Sequence, residues 1–186
     1  MSDVFDHIPP RHRAFIEAQR LFFVASAPER GGRVNLSPKG LDTLRVLDEH
    51  TVAYLDFVGS GVETIAHLRE NGRIVLMFCA FDGPPKIVRL HGRGEVLEPG
   101  DARFAELRPR FPDAPGVRAV LVVHVERASD SCGYGVPRYD YQGERTALGE
   151  WAARKGPDAL REYQRAKNAA SIDGLPGLAW TDEEAP

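Results

Sequence analysis

The chain has 186 residues, 42% hydrophobic and 27% charged, which suits one well-buried globular unit and excludes a disordered chain. A net charge of −3 gives no general attraction to nucleic acid or an anionic membrane. The longest apolar runs, 74–80 and 119–123, fall far short of the roughly 18 residues that span a bilayer. Two cysteines, Cys79 and Cys132, exclude a disulfide framework and a Cys-rich zinc site. Residues 1–13 mix acidic and basic side chains without an apolar stretch, so no signal peptide is read there and a cytoplasmic location is expected.

Pro9–Pro10 opens a helical stretch in which Ala14, Phe15, Ala18 and Leu21 or Phe22 recur at helical spacing. Phe22–Ala27 reads as a strand ended by Pro28 and Gly31–Gly32, and Val34–Ser37 as a short second strand before Pro38. Thr51–Phe57 is β-branched and aromatic, a third strand. Ser60–Asn71 is the next helix, stopped by Gly72. Ile74–Phe81 is apolar at nearly every position, as in a strand covered on both faces. Lys86–Leu97 is a long strand, Asp101–Arg108 a small helix, and Val117–Val125 a further apolar strand. A Gly- and Tyr-rich loop follows Arg127, and two helices, Glu144–Lys155 and Asp158–Lys167, are split by Gly156–Pro157. The acidic segment 181–186 is expected to fray. Strands in succession with helices gathered at the end predict an α+β fold built on an antiparallel β-barrel. Val117–Val125 and Ile74–Phe81 are each apolar on both faces, and one barrel interior covers only one face, so a homodimer is expected.

Three constellations carry candidate chemistry. In the first, Arg33 to Gly40, strand alternation places Asn35 and Ser37 on one side, and Lys39 at the strand end can reach an anion. The same pattern also reads as a polar edge strand with a Pro-Lys-Gly turn. In the second, Gly59 to Thr64, a helix N-terminus offers unpaired N–H groups to an anion. Ser60 and Glu63 equally match a capping box that needs no ligand, and Glu63 would repel a phosphate. In the third, Lys86 to Gly94, a period of two lines up Arg89, His91 and Arg93 on one face. No metalloprotease, nucleophile-elbow, P-loop or dinucleotide motif is present.

In this order and spacing the three constellations resemble the pyridoxamine 5′-phosphate oxidase-like family of FMN-binding split barrels. The resemblance covers roughly residues 20–130 of a single domain 1–186. It implies an antiparallel split β-barrel with peripheral helices, and leaves 131–180 as a loop and helical extension. By resemblance Arg33, Asn35, Leu36, Ser37 and Lys39 are FMN contacts, as are Asp56, Phe57, Ser60 and Thr64. Lys86 and Arg89 stand where the family strand reaches the flavin of the other subunit. The Arg-Lys pair of the family's phosphate turn is Gly61–Val62 here, the first strand's Arg-to-Lys spacing is one residue longer, and the terminal Arg and Trp segment of true oxidases is unrecognisable. The expected activity is that of a homodimeric FMN-dependent oxidoreductase using a small molecule or a nicotinamide donor, with the flavin doing the redox chemistry. The other reading is a non-enzymatic split barrel binding flavin, pyridoxal phosphate or haem; a deazaflavin could replace FMN. Cys132 reads as a redox thiol or an inert one, and Tyr134, Tyr139 and Tyr141 as a flavin wall or as loop packing.

Overall fold

A computed structural model describes residues 3–179, so the acidic segment expected to fray lies outside the described residues. In chain order the elements are β1 (Val4–Phe5), α1 (Pro10–Ala18), β2 (Phe22–Ser26), β3 (Asn35–Lys39), β4 (Leu44–Val46) and β5 (Thr51–Phe57). They continue with α2 (Glu63–Asn71), β6 (Arg73–Cys79), β7 (Ile87–Leu97), α3 (Ala102–Leu107), β8 (Val117–Ser131) and α4 (Ala147–Asn168). The strands form one antiparallel, curled sheet in the order β3-β2-β6-β7-β8-β5-β4, with β1 also on β8. This is the α+β split barrel, with helices at its periphery and a helical C-terminal extension.

The inward faces of these strands build the main core, in which Val24, Tyr54, Leu76, Phe78, Leu90 and Leu121 are buried together with Ile65 of α2. Helix α2 ends at Gly72, whose φ of 70° makes the left-handed cap that a glycine adopts without steric cost. A β-bulge in β8 leaves Glu126 as the extra residue opposite the His91–Gly92 step of β7, and a Cβ on Gly92 would collide with the His124 carbonyl.

Several boundaries differ from the sequence reading, each for a physical reason. β3 runs through Pro38, which is tolerated because β3 is an edge strand hydrogen-bonded only to β2. β8 continues past Val125 to Ser131, since its polar end still pairs with β7 and β1. β1 and β4 were not anticipated, being too short for periodicity to register. The two C-terminal helical arms meet at Gly156, which has φ 73° and ψ 168° ahead of Pro157.

A second hydrophobic layer covers the outer side of β5 and β8. Leu107 and Phe111, flanking the 3₁₀ turn Arg108–Arg110, pack with Leu55, Val120 and Val122. The second apolar face of Val117–Val125 is therefore satisfied within the chain, and needs no partner. The outer side of β6 differs: Val75 and Met77 are only half-buried, beside Phe23 and Ala25. Helix α4 packs Ala152 and Leu160 on Val58, at the turn leaving β5. No helix among the described residues is long and apolar enough to cross a membrane.

Candidate functional site

Alternation along β3 turns Asn35, Ser37 and Lys39 to one side of the edge strand and Leu36 to the other, where it is 64% exposed. The Ser37 hydroxyl donates to Asn35 Oδ1 at 3.1 Å, and Asn35 Nδ2 donates to Thr64 Oγ1 at 2.9 Å. These bonds tie β3 to the first turn of α2. Lys39 Nζ donates to Asp56 Oδ1 at 2.7 Å.

Asp56 comes from the end of β5, where β5 and β8 slip register. Asp56 lies opposite Ala119 and Phe57 opposite Val117, so Arg118 is the extra residue of a bulge. Arg118 Nε donates to Asp56 Oδ2 at 2.7 Å, and its Nη1 donates to the Gly61 carbonyl at 2.8 Å. Both side chains are nearly inaccessible, 1% for Asp56 and 7% for Arg118. Burial pushes the Asp56 carboxyl up, but the charges and hydrogen bonds of Lys39 and Arg118 outweigh it and hold the pKa below the ordinary aspartate value. The triad carries one net positive charge. Lys39 and Arg118 each keep N–H donors beyond those given to Asp56.

The turn after β5 closes the site. It is fixed from outside by Asn168 of α4, whose Nδ2 donates to the Gly59 carbonyl at 2.9 Å. Helix α2 begins at Glu63 rather than Ser60, with Val62 at its N-cap and no side-chain cap bond. The capping box read from Ser60 and Glu63 is therefore not formed. Ser60 is exposed at the mouth of the cleft, two residues before the N-cap. Ser60→Ala is accordingly expected to leave stability within about 0.5 kcal/mol of wild type in a urea titration. A loss near 1 kcal/mol, typical of a lost cap, would contradict this geometry.

Together these residues line a cleft of about 280 Å³: Asn35, Ser37, Lys39, Asp56, Phe57, Ser60 and Thr64, with Gly59, Gly61, Glu63 and Arg118. Four of the sequence-derived candidates lie elsewhere. Arg33 precedes β3 and pairs with Asp173 of the C-terminal segment, which draws it off the cleft. Leu36 faces away, as the pleat requires. Lys86 stands 3.5 Å from Asp130 and over the Phe15 ring, while Arg89 Nη1 donates to Ser131 Oγ at 3.1 Å on the outer side of β7. His91 and Arg93 share that side, as period-two alternation requires, and Arg93 Nη1 donates from it to the Asn71 carbonyl at the end of α2. Cys132 is exposed, as are Tyr134, Tyr139 and Tyr141.

Arg118 was the residue that sequence reasoning missed. Its signal was present, since a lone arginine inside an apolar strand must find a buried partner. What the sequence could not supply was the bulge that aims it at Asp56.

Comparison with known proteins agrees with this architecture. A family model described as pyridoxamine 5′-phosphate oxidase matches residues 8–132. The Aspergillus flavus pyridoxamine 5′-phosphate oxidase family protein ustO is 44% identical over 197 residues, covering 96% of this chain and 78% of that protein. Among solved structures, a candidate pyridoxamine 5′-phosphate oxidase from Lactobacillus delbrueckii shares the fold at a TM-score of 0.53 and 19% identity, covering 67% of this chain and 94% of its own. HupZ from Group A Streptococcus superposes at a TM-score of 0.50 and 25% identity, covering 65% of this chain and 91% of its own. With the family match running from α1 to the end of β8, and with so near a relative spanning almost the whole chain, this protein belongs to the pyridoxamine 5′-phosphate oxidase family.

Proposed function

We propose that this chain binds FMN with its phosphate in the cleft between β3, the end of β5 and the start of α2, and serves as a flavin-dependent oxidoreductase on a small molecule. The observation that carries the reading is the convergence of Lys39, Arg118, Asn35, Ser37, Ser60 and Thr64 on one cleft at an uncapped helix N-terminus. The donor set fits a phosphate: spare N–H groups on two cations, hydroxyls, an amide, and the positive end of a helix dipole. Bound there, the flavin would supply hydride and electron transfer. The chain's own part is to hold and orient it. Asp56 keeps Lys39 and Arg118 in fixed directions, and the hydrogen-bonded relay from Ser37 through Asn35 to Thr64 keeps β3 and α2 in register.

A second copy of the chain belongs to the same proposal. The outer side of β2, β6 and β7 carries half-buried Phe23, Ala25, Val75 and Met77, with Leu36 and Val34 exposed at its edge. Arg89 and His91 lie on that side too, so a partner seated there would meet Arg89 from the other subunit. A nicotinamide donor or another small organic reductant would complete the cycle.

The test is spectroscopic and hydrodynamic. Protein purified with FMN is expected to show flavin absorbance, release FMN on denaturation, and sediment as a dimer at micromolar concentration. A colourless protein that cannot be loaded with FMN overturns the flavin reading, a Soret band transfers the site to haem, and a stable monomer removes the shared surface.

A further inference from the structure

Glu63 is the group in this cleft that the flavin reading does not use. It is the first residue of α2 and lines the same cleft as Lys39 and Arg118. Its carboxylate folds over Gly61 so closely that a Cβ on Gly61 would collide with it. One carboxylate oxygen accepts from the Ile172 backbone N–H at 3.3 Å, so the C-terminal segment helps to hold it there. Lys39 and Arg118 pair with Asp56 and Arg33 with Asp173, not with Glu63. Its negative charge cancels the single positive charge left on the Lys39–Asp56–Arg118 triad. A carboxylate at the positive end of a helix dipole is favourable, so it also occupies the electrostatic place that an incoming anion would take.

We propose that Glu63 determines phosphate specificity at this site: its carboxylate brings a negative charge to the cleft in the free protein, and a phosphorylated ligand must bind against it or displace it. This inference rests on the cleft being the phosphate site of the preceding reading. Gly61–Val62 offers no cations, and Val62 is itself committed, buried in the core beside Leu178. The charge that favours or disfavours a phosphorylated ligand here is therefore set by the balance among Lys39, Arg118, Asp56 and Glu63. In the free state that balance is neutral, which lowers affinity for a dianion without touching the rest of the ligand.

Removing the charge reverses this. Glu63→Gln keeps the shape and takes away one like charge close to a dianion, which should tighten FMN binding about tenfold and change riboflavin binding less than about twofold. Glu63→Ala, which also leaves Ile172 without its acceptor, should give the same order of the two ligands. Inorganic phosphate should raise the unfolding midpoint of Glu63→Gln at concentrations that leave the wild type unmoved. An unchanged FMN affinity, or an equal gain for FMN and riboflavin, overturns the role of Glu63 while leaving flavin binding intact. Conversely, phosphate stabilisation of Glu63→Gln without flavin binding by either protein overturns the flavin reading and keeps the anion site.

Discussion

Asp56→Ala is expected to cost about 3–5 kcal/mol of stability, because it strands Arg118 and Lys39 without the carboxylate that compensates their burial. Arg118 is 7% exposed and Lys39 21%, so neither can turn fully to water without leaving its packing. Replacing the three together by apolar residues of similar size should restore most of the loss, since the stranded charge is the costly element. Urea denaturation of the single and triple variants measures this. A loss below about 1 kcal/mol for Asp56→Ala, the range of exposed ion pairs, would show that the triad is not buried in solution.

The same carboxylate makes stability depend on pH. Its folded pKa is lowered, so the unfolded chain binds more protons on this group than the folded one. The stabilisation is fully present above the ordinary aspartate pKa of about 3.9, and is lost as pH falls through the lowered folded value. Acid should therefore weaken the wild type in that window more than it weakens Asp56→Ala.

Lys39→Ala is expected to weaken FMN binding by about tenfold to a hundredfold, the effect of losing one charge-assisted contact of roughly 1.5–3 kcal/mol. Its Nζ lies in the cleft and keeps donors beyond the one given to Asp56. Riboflavin, which lacks the phosphate, should lose much less. Arg11→Ala is the control, since Arg11 lies in α1 outside the cleft and pairs with Asp3. Flavin fluorescence titrations decide it: equal FMN affinities for the two variants would take Lys39 out of the site.

Local chemistry made much of this protein legible before any coordinates. Apolar runs marked β2, β5, β6, β7 and most of β8, because those strands bury side chains at every second position or more often. Gly72 announced the end of α2, and Gly156–Pro157 the break in α4, because each residue has a backbone preference that acts locally. Period-two alternation alone put Asn35, Ser37 and Lys39 on one side of β3.

What the tertiary structure decided is what depends on register and on distant partners. Only the slip between β5 and β8 shows that Arg118, 62 residues from Asp56, completes its ion triad. Whether Ser60 caps α2 was open in the sequence, because a capping box and a free turn share the same residues; the C-terminal segment, holding Gly59 through Asn168 and Glu63 through Ile172, accompanies the later start at Glu63. Arg33 stood with Lys39 among the flavin contacts that the resemblance implied, yet it pairs with Asp173, 140 residues away, and does not line the cleft. Likewise two apolar strands looked alike in needing a partner, until α3 and its following turn covered β8 and left β6 open. A one-dimensional pattern records which residues are able to pair, but a charge finds its partner only when the fold sets their separation.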